Sequence, residues 1–432
     1  MKGKLLAAIV LAGAAFAAQA QVEIRLWHAM SGAAGVELER LAARFNASQS
    51  GYRVIASHRG SYDRMVAVAL AGRRSEFAPH LMQVSEAGSA ELTVRGDAVR
   101  PLWQVLAEAG QPLEAKYVAA VADHVSDPGG RLLALPFNTS TAVLYYNRDA
   151  FRRAGLDPGR PPKTWPEAAG MLGALVDSGE RCGYTTAWPS WVLLENMSAW
   201  HDQAFATRQS GVPEVRLSFN GQLMVRWVAM LASWHKSGYF TYSGRESEAE
   251  ARFAAGECAV LTSSSASYAA LRERAAFDLA VAPLPYYDDF GGAPRSTLTA
   301  GDAIWVMSGR AKTDYRGVAR FIGFLAAPDV QAGWHQKTGA VPLTRAAYEL
   351  TRKQGFYAAH PGHEVPVRQL LANPPGKNAK PVHLGEFRRI RTIIDEELEA
   401  VWGGRKTPLD ALNSAVARGN ALLGRISGRL TQ

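Results

Sequence analysis

From Val22 to Val84 the chain passes through strand, helix, strand, helix and strand patterning, and this order limits its architecture more than any other feature. Val22-Glu-Ile-Arg-Leu-Trp-His28 alternates apolar and polar residues as a strand does, and after the break at Ser31-Gly32 the residues Leu38, Leu41, Ala42 and Phe45 fall on one helical face. The same reasoning predicts a strand over 52–57, a helix over 63–71 and a strand over 81–84. Such an order demands a parallel sheet with helices on its faces. Ligands of such sheets sit at the carboxyl ends of the strands, here residues 28–31, 59–62 and 85–88.

The stretch Leu135-Pro-Phe-Asn-Thr-Ser-Thr-Ala-Val-Leu-Tyr-Tyr-Asn147 comes next in importance. Residues 136–141 read as a polar loop of small hydroxyl side chains, 142–146 as a buried strand, and Asn147 as the entry to an amphipathic helix. The stretch is predicted to carry the chain from one compact unit into another. A second α/β unit then begins. It holds a helix over 166–175 capped by Thr164, the aromatic run Trp188-Pro-Ser-Trp191, a helix over 222–235, a strand over 258–261, the hydroxyl run Thr262-Ser-Ser-Ser265 and a helix over 267–274. Further crossings are expected near 283–292 and 338–343, with a strand over 303–307 and a helix over 315–325 between them and mostly helix after them. Repeated crossings make a hinge. The expected division is 21–137 with 286–336 in an N-terminal lobe and 138–285 with 337–432 in a C-terminal lobe.

Basic Met1-Lys-Gly-Lys4, an apolar run to Phe16 and small residues in Ala18-Gln-Ala20 form a secretory signal, expected to be cut after Ala20 and to send the protein to the periplasm. The run is shorter than the roughly 20 apolar residues a membrane span needs. The net charge is +9, to which Lys2 and Lys4 of the signal contribute. The remaining basic residues are scattered among acids and form no phosphate-binding stripe, so nucleic acid is not an expected partner. A chain of 432 residues exceeds one hydrophobic core, in agreement with two lobes. Cys182 and Cys258 are the two cysteines; an oxidising compartment permits one bridge, and their spacing does not decide whether they meet.

Motifs of catalysis are missing from the sequence. No His-x-x-x-His pair has a nearby glutamate, no Cys/His set has zinc spacing, and there is no Gly-x-Ser-x-Gly elbow, phosphate-binding loop or dinucleotide fingerprint. Asp395-Glu-Glu397 occupies consecutive helical positions that point in different directions, and is expected to include a solvated face. The reading is a binding protein without catalytic residues, metal or cofactor. Its candidate site gathers Tyr62 and Glu86 from the first lobe, Ser140 from the crossing, Trp188 and Trp191 from the second, and Ser264, Gly301 and Arg391 from later segments. A guanidinium with hydroxyl and backbone donors suits an anion, a carboxylate accepts from hydroxyls, and indole faces cover a carbon skeleton; a small polyol phosphate would use all three. Each residue also has an ordinary alternative: core for the tryptophans, an ion pair for Arg391, a helix cap for Ser264.

Tyr145-Tyr-Asn147, Ala154-Gly-Leu-Asp-Pro158 and Pro162-Lys-Thr-Trp165 resemble the signature region of the family 1 extracellular solute-binding proteins that serve ATP-binding-cassette (ABC) importers. Pro136-Phe-Asn-Thr-Ser140, Leu194-Glu-Asn196, Trp334-His-Gln-Lys-Thr-Gly339, Gln354-Gly-Phe-Tyr357 and Asp395-Glu-Glu-Leu-Glu399 resemble, more narrowly, the branch that binds sn-glycerol 3-phosphate. The resemblance implies a two-lobe α/β fold of the maltose-binding-protein type (type II). It implies a monomer that closes on a phosphorylated polyol, sn-glycerol 3-phosphate or a diester such as glycerophosphocholine. Delivery would be to a permease of two integral-membrane subunits and an ATPase. Tyr62, Glu86, Ser140, Ser264, Gly301 and Arg391 match the family's ligand contacts, and Trp188 and Trp191 its glycerol-covering indoles. Two positions depart: Ala340 stands where the family has a tyrosine, and Asp302 where a small neutral residue is expected. Ala340 is expected to make room for a substituted phosphate, and Arg391→Ala to abolish binding with little effect on unfolding of the free protein. The alternatives are an oligosaccharide ligand, which suits the tryptophans and not Arg391, and an exported glycerophosphodiester hydrolase, which needs metal ligands or a nucleophile.

Overall fold

The computed structural model describes residues 21–430 apart from 31, 87, 90–91, 93–96, 114–116, 119–120, 122–124, 128, 209–214 and 379–385, so the signal expected over 1–20 lies outside the described residues. The strands are β1 (Val22–His28), β2 (Tyr52–His58), β3 (Leu81–Ser85), β4 (Val99–Arg100), β5 (Leu135–Asn147), β6 (Tyr184–Thr186), β7 (Ala206–Arg208), β8 (Val215–Leu217), β9 (Val260–Ser264), β10 (Leu279–Ala282) and β11 (Thr299–Met307). All but the β7–β8 pair join in the order β2-β1-β3-β11-β5-β9-β6, with β10 beside β5 and β4 beside β11. As the alternating pattern requires, β1 runs parallel to both β2 and β3. The α/β class and the two-lobe architecture expected from the sequence are both present.

The 13-residue strand β5 organises the molecule. Residues 135–141 pair with β11, 142–146 with β9 and 144–147 with β10. Leu135 and Phe137 belong to a first core with Ile24, Leu26, Leu81, Ile304 and Phe321. Leu144 and Tyr146 belong to a second with Phe151, Trp165, Trp227, Ile390 and Leu398. One strand thus serves two cores. β11 does the same: Ala300 packs on the second core, Ile304 and Val306 in the first. Tyr286, Tyr287 and Phe290, which precede β11, pack with the second core.

The polar loop predicted over 136–141 is strand instead. Its hydroxyls are buried, and neighbours satisfy that of Thr141: Thr141 Oγ1 lies 2.7 Å from Thr297 Oγ1 and donates to the Leu298 carbonyl at 2.8 Å, whereas Thr139 Oγ1 has no hydrogen-bond partner among the described residues. Composition reports the polarity of such a segment and not its partners. Likewise the hydroxyls 262–264 lie within β9 rather than after it. The capping prediction holds: Thr164 accepts from the Glu167 N–H, and the Glu167 carboxylate accepts from the Thr164 N–H in return. Asp395-Glu-Glu397 points in different directions as expected: the Glu396 side chain is the solvated one, while Asp395 and Glu397 are buried. Lys406, Ser414 and Arg418 compensate Glu397. Cys182 and Cys258 are bridged, joining the segments that lead into the neighbouring strands β6 and β9.

Candidate functional site

Arg391 stands on the helix Phe387–Trp402, whose buried face of Phe387, Ile390, Ile394, Leu398 and Val401 fixes its rotation against the second core. The guanidinium lies over the Phe387 ring, 4.6 Å from its centroid. Its Nε donates to Glu195 Oε1 and its Nη2 to Glu195 Oε2, both at 2.7 Å, and Nη2 also reaches Glu86 Oε2 at 3.5 Å. The Glu195 side chain is 4% exposed and that of Arg391 23%. Burial opposes the arginine's charge, but Glu195 and Glu86 outweigh it and hold the guanidinium well above its ordinary range. Burial pushes the Glu195 carboxyl up, against the pull of Arg391. Glu86 follows β3 of the first core, so the Arg391–Glu86 contact ties one lobe to the other.

Glu195 reaches this position through a π-helix, Ser190–Asn196, whose wider turn is typical of functional segments. Trp188 enters it at a φ of 52°. Asn196 steadies its end, donating to the Trp191 carbonyl at 3.1 Å and accepting from the Leu298 N–H at 3.0 Å. Trp191 is buried in the second core, whereas Trp188 is only partly buried against it.

In the first lobe, Tyr62 opens the helix Tyr62–Ala71. Its hydroxyl donates to Asp302 Oδ1 at 3.0 Å and accepts from Gln83 Nε2 at 2.8 Å, while Gln83 Oε1 accepts from the Ala29 N–H at 3.1 Å. Asn138 donates to Asp302 Oδ2 at 3.2 Å. Asp302 is 7% exposed, and burial pushes its carboxyl up to about 6 even though these donors favour the charged form. Gly301 precedes it at a β-bulge with φ 139°, where a Cβ would lie 2.4 Å from the Asn138 carbonyl oxygen; no other residue fits. Between the two groups, Ser264 donates to Ser140 Oγ at 2.9 Å and Ser140 to the Ala300 carbonyl at 3.5 Å.

Strand register brings these residues together. Asp302 pairs with Ser85, Gly301 with Thr139, Ala300 with Ser140, and Ala142 with Ser264. Glu86 with Arg391 and Ser140 with Ser264 are in direct contact, Tyr62 reaches Asp302 beside Gly301, and Trp191 stays in the core. Sequence reasoning missed Glu195, Gln83 and Asn138 as members of the cluster. Glu195 and Asn138 lie in the motifs Leu194-Glu-Asn196 and Pro136-Phe-Asn-Thr-Ser140, but a single polar residue in a motif does not name its partner. Ala340 is 1% exposed among the residues of the first core, and the N–H of Val341 donates to the Thr139 carbonyl at 2.7 Å; the room expected there is closed. Among the described residues no group of three or more His, Cys, Asp or Glu is placed to hold a metal.

Residues 40–364 match the family of bacterial extracellular solute-binding proteins. The chain belongs to that family. Over 412 residues it is 45% identical to the sn-glycerol-3-phosphate-binding periplasmic protein UgpB of Yersinia enterocolitica serotype O:8, with 94% of each chain covered. It is equally 45% identical over 412 residues to the protein of the same name from Escherichia coli O1:K1, again with 94% of each covered. In fold it is similar to UgpB from Mycobacterium tuberculosis, solved with glycerophosphocholine: TM-score 0.76, 21% identity, 95% of this chain and 99% of that one. It is also similar to the sugar-binding protein MalE from Xanthomonas citri: TM-score 0.77, 19% identity, 95% of this chain and 100% of that one. Extracellular solute-binding proteins bind small molecules for ABC permeases, and the fold is that of the maltose-binding group.

Proposed function

We propose that this solute-binding protein captures sn-glycerol 3-phosphate and glycerophosphodiesters such as glycerophosphocholine in the periplasm and delivers them to an ABC permease. The observation that carries this reading is Arg391, a guanidinium fixed where the two cores meet by Glu195 and Glu86, in a chain 45% identical along nearly its whole length to a glycerol-3-phosphate-binding protein. Nε and Nη2 are engaged with carboxylates, and among the described residues Nη1 has no hydrogen-bond partner, which leaves it for an anionic ligand. In this reading Ser140, Ser264 and the backbone at Gly301 supply further donors, Tyr62 lines the site with its proton held by Asp302, Glu86 accepts from ligand hydroxyls, and the partly buried Trp188 flanks the carbon skeleton. The signal is cut after Ala20, and the monomer docks on two integral-membrane subunits coupled to an ATPase. The lobes are 21–137 and 138–285 with later segments added to each, and the packing of Tyr286, Tyr287 and Phe290 favours drawing the return crossing along β11.

Binding without turnover separates this reading from an exported hydrolase. Calorimetric titration with glycerophosphocholine, followed by assay of the recovered ligand after prolonged incubation, tests it: a saturable heat with intact ligand is expected, and release of choline or glycerol 3-phosphate contradicts it.

A further inference from the structure

We propose that Asp302 is a specificity-determining residue of the ligand site, its carboxylate holding the Tyr62 hydroxyl so that the site favours a phosphodiester with one negative charge over a phosphomonoester with two. This inference rests on the proposed function and assigns a preference within it.

The Tyr62 hydroxyl has one proton, and it is directed at Asp302 Oδ1; Gln83 occupies an acceptor position. While Asp302 is ionised, Tyr62 cannot donate to a ligand without giving up a charge-assisted bond. The groups facing Asp302 are Tyr62 from the helix Tyr62–Ala71, Gln83 from β3 and Asn138 from β5, and none of them is a cation. Arg391 is already shared between Glu195 and Glu86. The crevice therefore presents three carboxyls to one guanidinium.

A phosphomonoester at neutral pH carries most of a second negative charge, with a second pKa of about 6. Placed beside Asp302 and Glu86, that charge is repelled in surroundings where burial strengthens charge–charge interaction. A phosphodiester carries a single charge, and a zwitterionic one carries none in net. Protonation of Asp302 removes the repulsion and frees the Tyr62 proton for the ligand, so capture of the doubly charged monoester takes up a proton. The burial that already raises the Asp302 carboxyl to about 6 makes this uptake accessible near neutral pH.

The test is calorimetric titration of the full mature protein and of Asp302→Asn with sn-glycerol 3-phosphate and glycerophosphocholine at pH 8, where the monoester is doubly charged. The wild type is expected to bind the diester at least tenfold more tightly, and Asp302→Asn to move the ratio of the two affinities at least tenfold toward the monoester. A ratio that is the same in both proteins overturns the inference while leaving the proposed function intact. Binding of neither ligand to the wild type overturns both. Titration of the wild type alone in two buffers of different ionisation enthalpy keeps the question decidable if the variant does not fold: proton uptake is expected with the monoester and not with the diester, and equal uptake with both contradicts the inference.

Discussion

Arg391 and Glu195 are 196 residues apart in sequence and meet in a two-point ion pair, with Nε and Nη2 each 2.7 Å from a carboxylate oxygen. The arginine that the sequence suggested as a ligand contact is therefore also a structural counter-ion. Its partner is buried, and removal of one member of a buried pair strands the other.

The expectation that Arg391→Ala spares the free protein is accordingly replaced. Arg391→Ala should lower stability by about 3 kcal/mol as well as abolish ligand binding. Adding Glu195→Gln should restore most of the stability and none of the binding. Denaturant unfolding without ligand, beside calorimetry with ligand, separates the two effects; full stability of Arg391→Ala would show that the pair carries no structural weight.

Gly301 lies at the bulge between Ala300, which pairs with Ser140, and Asp302, which pairs with Phe137. Gly301→Ala meets both an unfavourable φ and the Asn138 carbonyl oxygen at 2.4 Å, and should cost about 3 kcal/mol. Ligand affinity should fall with it, because Ala300, the acceptor for Ser140, must shift. An unfolding midpoint equal to that of the wild type would contradict the bulge geometry.

The bridge between Cys182 and Cys258 closes a loop with a sequence separation of 76. Cys182→Ser with Cys258→Ser should lower stability by about 2–4 kcal/mol, chiefly by freeing the unfolded chain. The bridge precedes β9 and Ser264 ends it, so affinity should remain within about threefold of the wild type, equivalent to less than 1 kcal/mol. Calorimetry on the folded double variant checks the second statement.

Burial raises the Asp302 carboxyl to about 6 and the Asp395 carboxyl to about 7. A carboxyl raised on folding contributes stability that is fully present below its unfolded pKa of about 3.9 and lost as pH rises through the folded value. Asp395 Oδ1 also has no hydrogen-bond partner among the described residues. Asp395→Asn should therefore stabilise the protein increasingly from about pH 4 to about pH 7 and then by a constant amount. His201 and His335, held neutral by burial and lowered to about 4, act in the opposite sense: their contribution is present above about pH 6.5 and lost as pH falls toward 4. Melting curves of wild type and Asp395→Asn at pH 4.5 and pH 8 measure the difference; an equal gain at both would refute the assignment.

What could be read from the sequence followed from local chemistry. The period of Val22–His28 and its successors gave the parallel arrangement, Thr164 gave a helix start, and Leu135 to Asn147 marked the passage between lobes. What could not be read depended on partners distant in the chain. The hydroxyls of Ser140 and Thr141 signalled a loop because their partners, Ser264, Thr297 and Leu298, are invisible from their position. Within Asp395-Glu-Glu397 the sequence did not say which position is solvated, because the residues that compensate Glu397, Lys406 and Arg418, come later in the chain. Arg391 was legible as a candidate, but Glu195 as its partner was not, since a π-helical turn rather than any motif points that glutamate inward.

The most direct test of the account is a thermal-shift titration of the mature protein with sn-glycerol 3-phosphate, glycerophosphocholine, maltose and trehalose. A ligand that binds only the folded state raises the melting temperature in proportion to the logarithm of its concentration over Kd. The account predicts a saturating rise with glycerophosphocholine, a smaller one with sn-glycerol 3-phosphate at pH 8, and none with either sugar. A rise with maltose or trehalose and none with the phosphates would contradict it.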